Sequence, residues 1–103
     1  MAINSMVLSG VAPDTVYQST NQTAVTTMYF CNITSSMYTL NIHLVPSGGT
    51  ASTNNLIYYA LQIAPNDTYV MDTERLILDN GDMIICEASG TGAIVATVSY
   101  VGV

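Results

Sequence analysis

His43 is the single imidazole of a 103-residue chain, and Cys31 and Cys86 are its two thiols. An imidazole does acid–base chemistry when a nucleophile or an orienting carboxylate lies within hydrogen-bond reach, and no motif adjacent to His43 supplies either. In the alternating run Tyr38-Thr-Leu-Asn-Ile-His-Leu-Val45 it stands on the face opposite Leu40, Ile42 and Leu44, which predicts an ordinary surface or interface histidine. Five acidic residues, Asp67, Asp72, Glu74, Asp79 and Asp82, fall within sixteen positions. Calcium takes about six to eight oxygen ligands, but Asp79-Asn-Gly-Asp82 lacks the spaced acids and distal Glu of a calcium loop. Asn-Gly between apolar runs is first of all a hairpin-turn signal. Paired carboxylates also serve glycosidases, which need a sugar cleft and aromatic platforms that a small sandwich seldom offers. Two Cys and one His at these separations cannot make a four-ligand zinc site. The sequence therefore predicts no catalytic residue, no metal and no cofactor. Each cysteine sits inside an apolar run and is expected as a reduced core thiol.

Charge excludes further classes. Arg75 is the only basic residue against seven acidic ones, giving a net charge of −6. Nucleic-acid binding needs clustered Lys and Arg to neutralise phosphates, and attraction to anionic lipid needs the same, so neither partner is expected. No apolar stretch approaches the ~20 residues of a membrane-spanning helix. The first residues carry neither a basic nor a long apolar segment of the secretory kind, which points to a bacterial-cytoplasm origin. With only 8% of residues charged and half of them hydrophobic, the chain has ample core material and a surface wetted by Ser, Thr, Asn, Gln and Tyr. That balance favours permanent assembly.

Strands must position these residues. No window sustains helical periodicity, whereas period-two alternation recurs from end to end. Strands are predicted over 15–20, 24–32, 38–45, 56–63, 68–71, 75–78, 83–88 and 93–101. Turn residues separate them, including Pro13-Asp14, Asn32-Ile-Thr-Ser-Ser36, Pro65-Asn-Asp67 and Ser89-Gly-Thr-Gly92. The potential glycosylation triplets at Asn21, Asn32 and Asn66 are read as turn residues for the same reason. Residues 46–55 form the longest polar stretch and predict a long exposed hairpin loop. About eight short strands at this spacing predict an all-β chain, a single antiparallel β-sandwich or jelly roll.

Residues 1–12 show little alternation and predict an extended N-terminal docking arm on a domain spanning 13–103. The arm's Ile3, Val7 and Leu8 want a neighbour. In the last strand both faces carry apolar groups, which makes Val95 and Val101 candidates for an interface. Tyr58-Tyr59 puts one ring on each sheet face, and Tyr brings large contact area with a polar tip. Tyr58 completes the set of interface candidates.

Tyr29-Phe-Cys-Asn-Ile-Thr34, the strand running into Leu44-Val-Pro-Ser-Gly48, Ile63-Ala-Pro-Asn-Asp-Thr-Tyr-Val70, Leu76-Ile-Leu-Asp-Asn-Gly-Asp-Met-Ile84 and Ala96-Thr-Val-Ser-Tyr-Val-Gly102 resemble small virion structural proteins of tailed bacteriophages. These are β-sandwich modules serving as capsid decoration, neck, collar or fibre-associated subunits. The resemblance covers residues 20–103. It implies a non-enzymatic virion subunit, assembled in the bacterial host cytoplasm, without cofactor, present in many copies, bound to other virion proteins and to itself, with a trimer as the family habit. The rival reading is a carbohydrate- or receptor-binding module at a fibre tip, with Tyr58, Asn54, Asn55 and the 46–55 loop facing ligand. A third, a small hydrolase, would rest on Asp79 or Asp82.

Overall fold

A computed structural model describes residues 2–10, 13–71 and 76–102. The predicted start of a strand at Arg75, and the acids Asp72 and Glu74, lie outside the described residues. Nine strands form: β1 (Ala2–Val7), β2 (Asp14–Gln18), β3 (Thr23–Asn32), β4 (Tyr38–Val45), β5 (Leu56–Ile63), β6 (Thr68–Met71), β7 (Leu76–Leu78), β8 (Met83–Ala88) and β9 (Ile94–Gly102). A 3-10 turn, Thr53–Asn55, precedes β5. All pairings are antiparallel. One sheet runs β1-β9-β3-β6, with β7 paired to the same edge of β3 as β6, and the other runs β2-β8-β4-β5. The chain changes sheet at every described connection except the β4–β5 hairpin, and β6 and β7 together occupy one edge position. That winding is a jelly roll, in which two sheets close over one core.

Alternation builds the core from both layers. Val25, Met28 and Phe30 of β3 and Ile94, Ala96 and Val98 of β9 point inward to meet Leu40 and Ile42 of β4 and Ile84, Cys86 and Ala88 of β8. Each large side chain among them contributes about 1.5–3 kcal/mol by leaving water. Among the described residues every buried side-chain nitrogen and oxygen is paired. Asn32 is the clearest case: its Nδ2 donates to the carbonyls of Ile63 at 3.0 Å and Ser36 at 2.8 Å, and its Oδ1 accepts from the Thr34 backbone N–H and hydroxyl. The triplet at Asn32 is thus a buried turn, and Asn21 and Asn66 occupy left-handed turn positions at φ 62° and 54°.

Two sequence expectations are revised. The expected N-terminal arm is an element of the sandwich: β1 pairs along its whole length with β9, and Leu8 is wholly buried in the core. Asn4 hides this strand in the sequence, because it puts a polar residue on the inward side, where its Nδ2 donates to the Val16 carbonyl at 2.6 Å. Asp79-Asn-Gly-Asp82 does turn the chain, but not into a hairpin, since β7 and β8 belong to different sheets. Its polar groups bind other loops instead. Gly81 N–H donates to the Ser19 carbonyl, Asn80 Oδ1 accepts from Asn21 N–H, and Asp82 accepts from the backbone of Ser47 and Asp79.

Candidate functional site

The outer face of the five-stranded sheet is assembled by the registers of β1, β9, β3, β6 and β7. Four rows cross it: Val7–Val95–Cys31–Thr68, Ser5–Thr97–Tyr29–Val70, Ile3–Ser99–Thr27, and Val101–Ala24–Ile77. None of these residues is charged. Ile3, Val7, Tyr29, Val70 and Ile77 are exposed on it. With strands about 4.8 Å apart and about 3.3 Å of rise per residue, the face measures roughly 19 by 20 Å, or about 400 Å². That is comparable with the largest apolar patch on an ordinary monomer, which is often a contact surface.

Of the six interface candidates, the fold brings four together here: Ile3, Val7, Val95 and Val101. Leu8 is corrected to a core residue, because the backbone after β1 is drawn inward by bonds from Leu8 N–H to the Ile94 carbonyl and from Gly92 N–H to the Leu8 carbonyl. Tyr58 belongs to the other sheet and packs partly buried against the core, edge-on to Tyr69 with ring centroids 6.5 Å apart. The outward ring of that pair is Tyr59, 76% exposed. Tyr29, Val70 and Ile77 were not singled out by sequence; the β3–β6 and β3–β7 registers bring them onto the face.

The second cluster lies on the outer face of the four-stranded sheet. His43 is buried rather than surface-lying, because the polar loop 46–55 folds back over it. Its Nδ1 lies 3.0 Å from the Ser52 carbonyl and 2.9 Å from Asn55 Oδ1, and its Nε2 lies 2.9 Å from Glu87 Oε1. Asn55 cannot be turned to present its amide nitrogen, since Oδ1 accepts from Ser52 N–H and Nδ2 donates to the Thr50 carbonyl. Both ring nitrogens therefore face oxygen atoms. Asn55 is consumed in this arrangement and Tyr58 faces inward, so two of the residues expected to meet a ligand at the loop serve the fold instead. Beside the cluster Thr39, Asn41, Glu87, Ala88 and Ser89 line a cavity of about 190 Å³.

The cysteines separate. Cys86 is buried, where desolvation first and the Asp14 charge second push its thiol well up. Cys31 is not a core thiol: it is partly exposed on the uncharged face. Asp79 and Asp82, the candidate hydrolase pair, are engaged at the turn, Asp79 by the Gln22 amide and Asp82 by backbone N–H groups. No protein-family model, curated protein or solved structure matches the chain.

Proposed function

We propose that this chain is a non-enzymatic structural subunit of a tailed-phage virion, associated with further copies of itself and with neighbouring virion proteins through the outer face of its five-stranded sheet. The observation that carries the reading is the absence of any charged side chain from the four rows of that face. In a chain of net charge −6, a second copy can meet this surface without bringing carboxylates together. The jelly roll also serves viral capsid and lectin domains, which is an analogy of fold and not of site. An area of about 400 Å² per partner falls below the ~800 Å² of a standard stable interface. Single contacts of this size are weak, and many copies on one particle supply the avidity.

The test places a charge at the centre of the face. Thr97→Glu and Tyr29→Glu keep a solvent-facing position and should leave the far-ultraviolet spectrum unchanged. Sedimentation of the wild-type chain should show concentration-dependent association that both variants lose, and particles of the phage that encodes the chain should incorporate the wild type and exclude the variants. A wild-type chain that stays monomeric, or variants that enter particles normally, would defeat the reading.

A further inference from the structure

The cavity beside His43 holds hydrogen-bonding capacity that the fold does not use. Asn41 Oδ1 accepts from Ala60 N–H at 2.8 Å, which fixes the amide and leaves Nδ2 a donor without a partner among the described residues. Glu87 gives Oε1 to His43 and keeps Oε2 as an acceptor. Ser89 Oγ accepts from Thr39 N–H at 2.9 Å, so its own hydroxyl hydrogen remains to be donated. These groups line one cavity, with donors and an acceptor side by side.

The mixture of donors and one acceptor decides what kind of ligand suits them. Glu87 Oε2 is the one carboxylate oxygen left free there, far short of the about six to eight oxygen ligands a calcium ion takes, and the cavity does not call for a cation. Loop 46–55 holds the ring from behind, so the carboxylate is fixed before any ligand arrives and little ordering remains to be done. An apolar surface adjoins the polar one. The β4–β5 register passes from Leu40↔Leu61 to Ile42↔Tyr58, so Tyr59 and Ala60 together oppose Asn41 in a bulge. Tyr59 is the most exposed large hydrophobic residue described.

A neutral ligand with adjacent hydroxyls, each both donor and acceptor, and an apolar C–H face meets all of these features. We propose that the cleft formed by Thr39, Asn41, Glu87 and Ser89 binds one pyranose ring of a neutral glycan, with Glu87 Oε2 and Asn41 Nδ2 taking neighbouring hydroxyls and Tyr59 taking the C–H face. The cavity of about 190 Å³ is smaller than the roughly 300–1,000 Å³ that holds a drug-sized ligand, so one ring fits and a longer chain runs out along the sheet. His43 is a positioning residue that acts through Glu87. This reading does not depend on assembly, because the cleft lies on the sheet opposite the docking face.

The experiment is a heteronuclear NMR titration of the full chain with the methyl glycosides of glucose, galactose and N-acetylglucosamine. At least one sugar should shift the amides of Asn41, Tyr59, Ala60, Glu87 and Ser89 in a saturable manner. Glu87→Gln and Asn41→Ala, checked for an unchanged melting temperature, should weaken binding about tenfold or more. Shift mapping on the wild-type chain decides the matter even where a variant folds poorly. Sugars that leave those amides unmoved, or that bind both folded variants as they bind the wild type, would overturn the proposal.

Discussion

Cys86 and Cys31 carry the same thiol into two environments, and their chemistry should divide accordingly. Thiolate is the reactive form, and burial disfavours it at Cys86, while Cys31 stands partly exposed beside Val95 on an outer face. Iodoacetamide under native conditions should label Cys31 alone, with Cys86 modified only on unfolding, as peptide mass spectrometry would read. The same burial sets an alkaline limit. A thiol raised in the folded state keeps its proton above the ordinary value of 9.0, where the unfolded chain loses it, so unfolding gains as pH rises. Stability should fall above about pH 9 by up to about 1.4 kcal/mol per pH unit, and the decline should be shallower in Cys86→Ala. Urea unfolding across that range measures it; identical slopes would exclude the thiol as the cause. His43 is a different residue-scale case. Replacing it with Ala takes the partner from a partly buried Glu87 and leaves a void beneath loop 46–55, which should cost about 2–4 kcal/mol and open that loop to limited proteolysis. Nothing local in the sequence marked this residue as buried, because the oxygens around it come from positions 52, 55 and 87.

At the scale of elements, the strands with regular alternation were legible. Those expected over 38–45, 56–63, 68–71 and 83–88 form with those bounds, although a bulge at Tyr59 and Ala60 shifts the phase of the second. β1 was not legible, since Asn4 breaks its inward face and Ile3, Ser5 and Val7 read as an unpaired arm. Its place in the sheet changes what a truncation means: Leu8→Ala should cost about 2–5 kcal/mol, as a deleted core leucine does, while Ile3→Ala should stay within about 0.5 kcal/mol. Equal, small effects in chemical denaturation would return residues 2–8 to the status of an appendage. The turn at 79–82 was legible as a turn and illegible in its destination. Asn-Gly specifies a reversal with Gly81 at φ 90°, but long-range bonds to Ser19, Asn21 and Ser47 decide that the chain crosses to the other sheet. Gly81→Ala meets both the left-handed backbone and the Ser47 side chain, so it should destabilise by more than the ~1 kcal/mol of an ordinary glycine replacement.

For the whole molecule, the decisive feature is where the charge is absent. Sequence gave Ile3, Val7, Val95 and Val101 as separate hints, and only the pairing of β1 and β3 with β9 places them on one surface. The described acids lie elsewhere, Asp14 opening β2, Asp67, Asp79 and Asp82 in or beside turns, and Glu87 on the opposite sheet. This separation makes a prediction about salt. The molecule spans 38 × 27 × 20 Å, so at about 10 mM salt, where the screening length is roughly 30 Å, each copy feels the whole negative charge of the next. At about 150 mM the screening length is roughly 8 Å, shorter than the thinnest axis, and the carboxylates of the far sheet no longer reach across an interface on the near one. Association through the uncharged face should therefore strengthen as salt rises, and sulfate should strengthen it further by favouring burial of apolar surface. An interface built from opposite charges would do the reverse. Sedimentation equilibrium over that salt range separates the two, and association that weakens with added salt would remove the uncharged face as the contact.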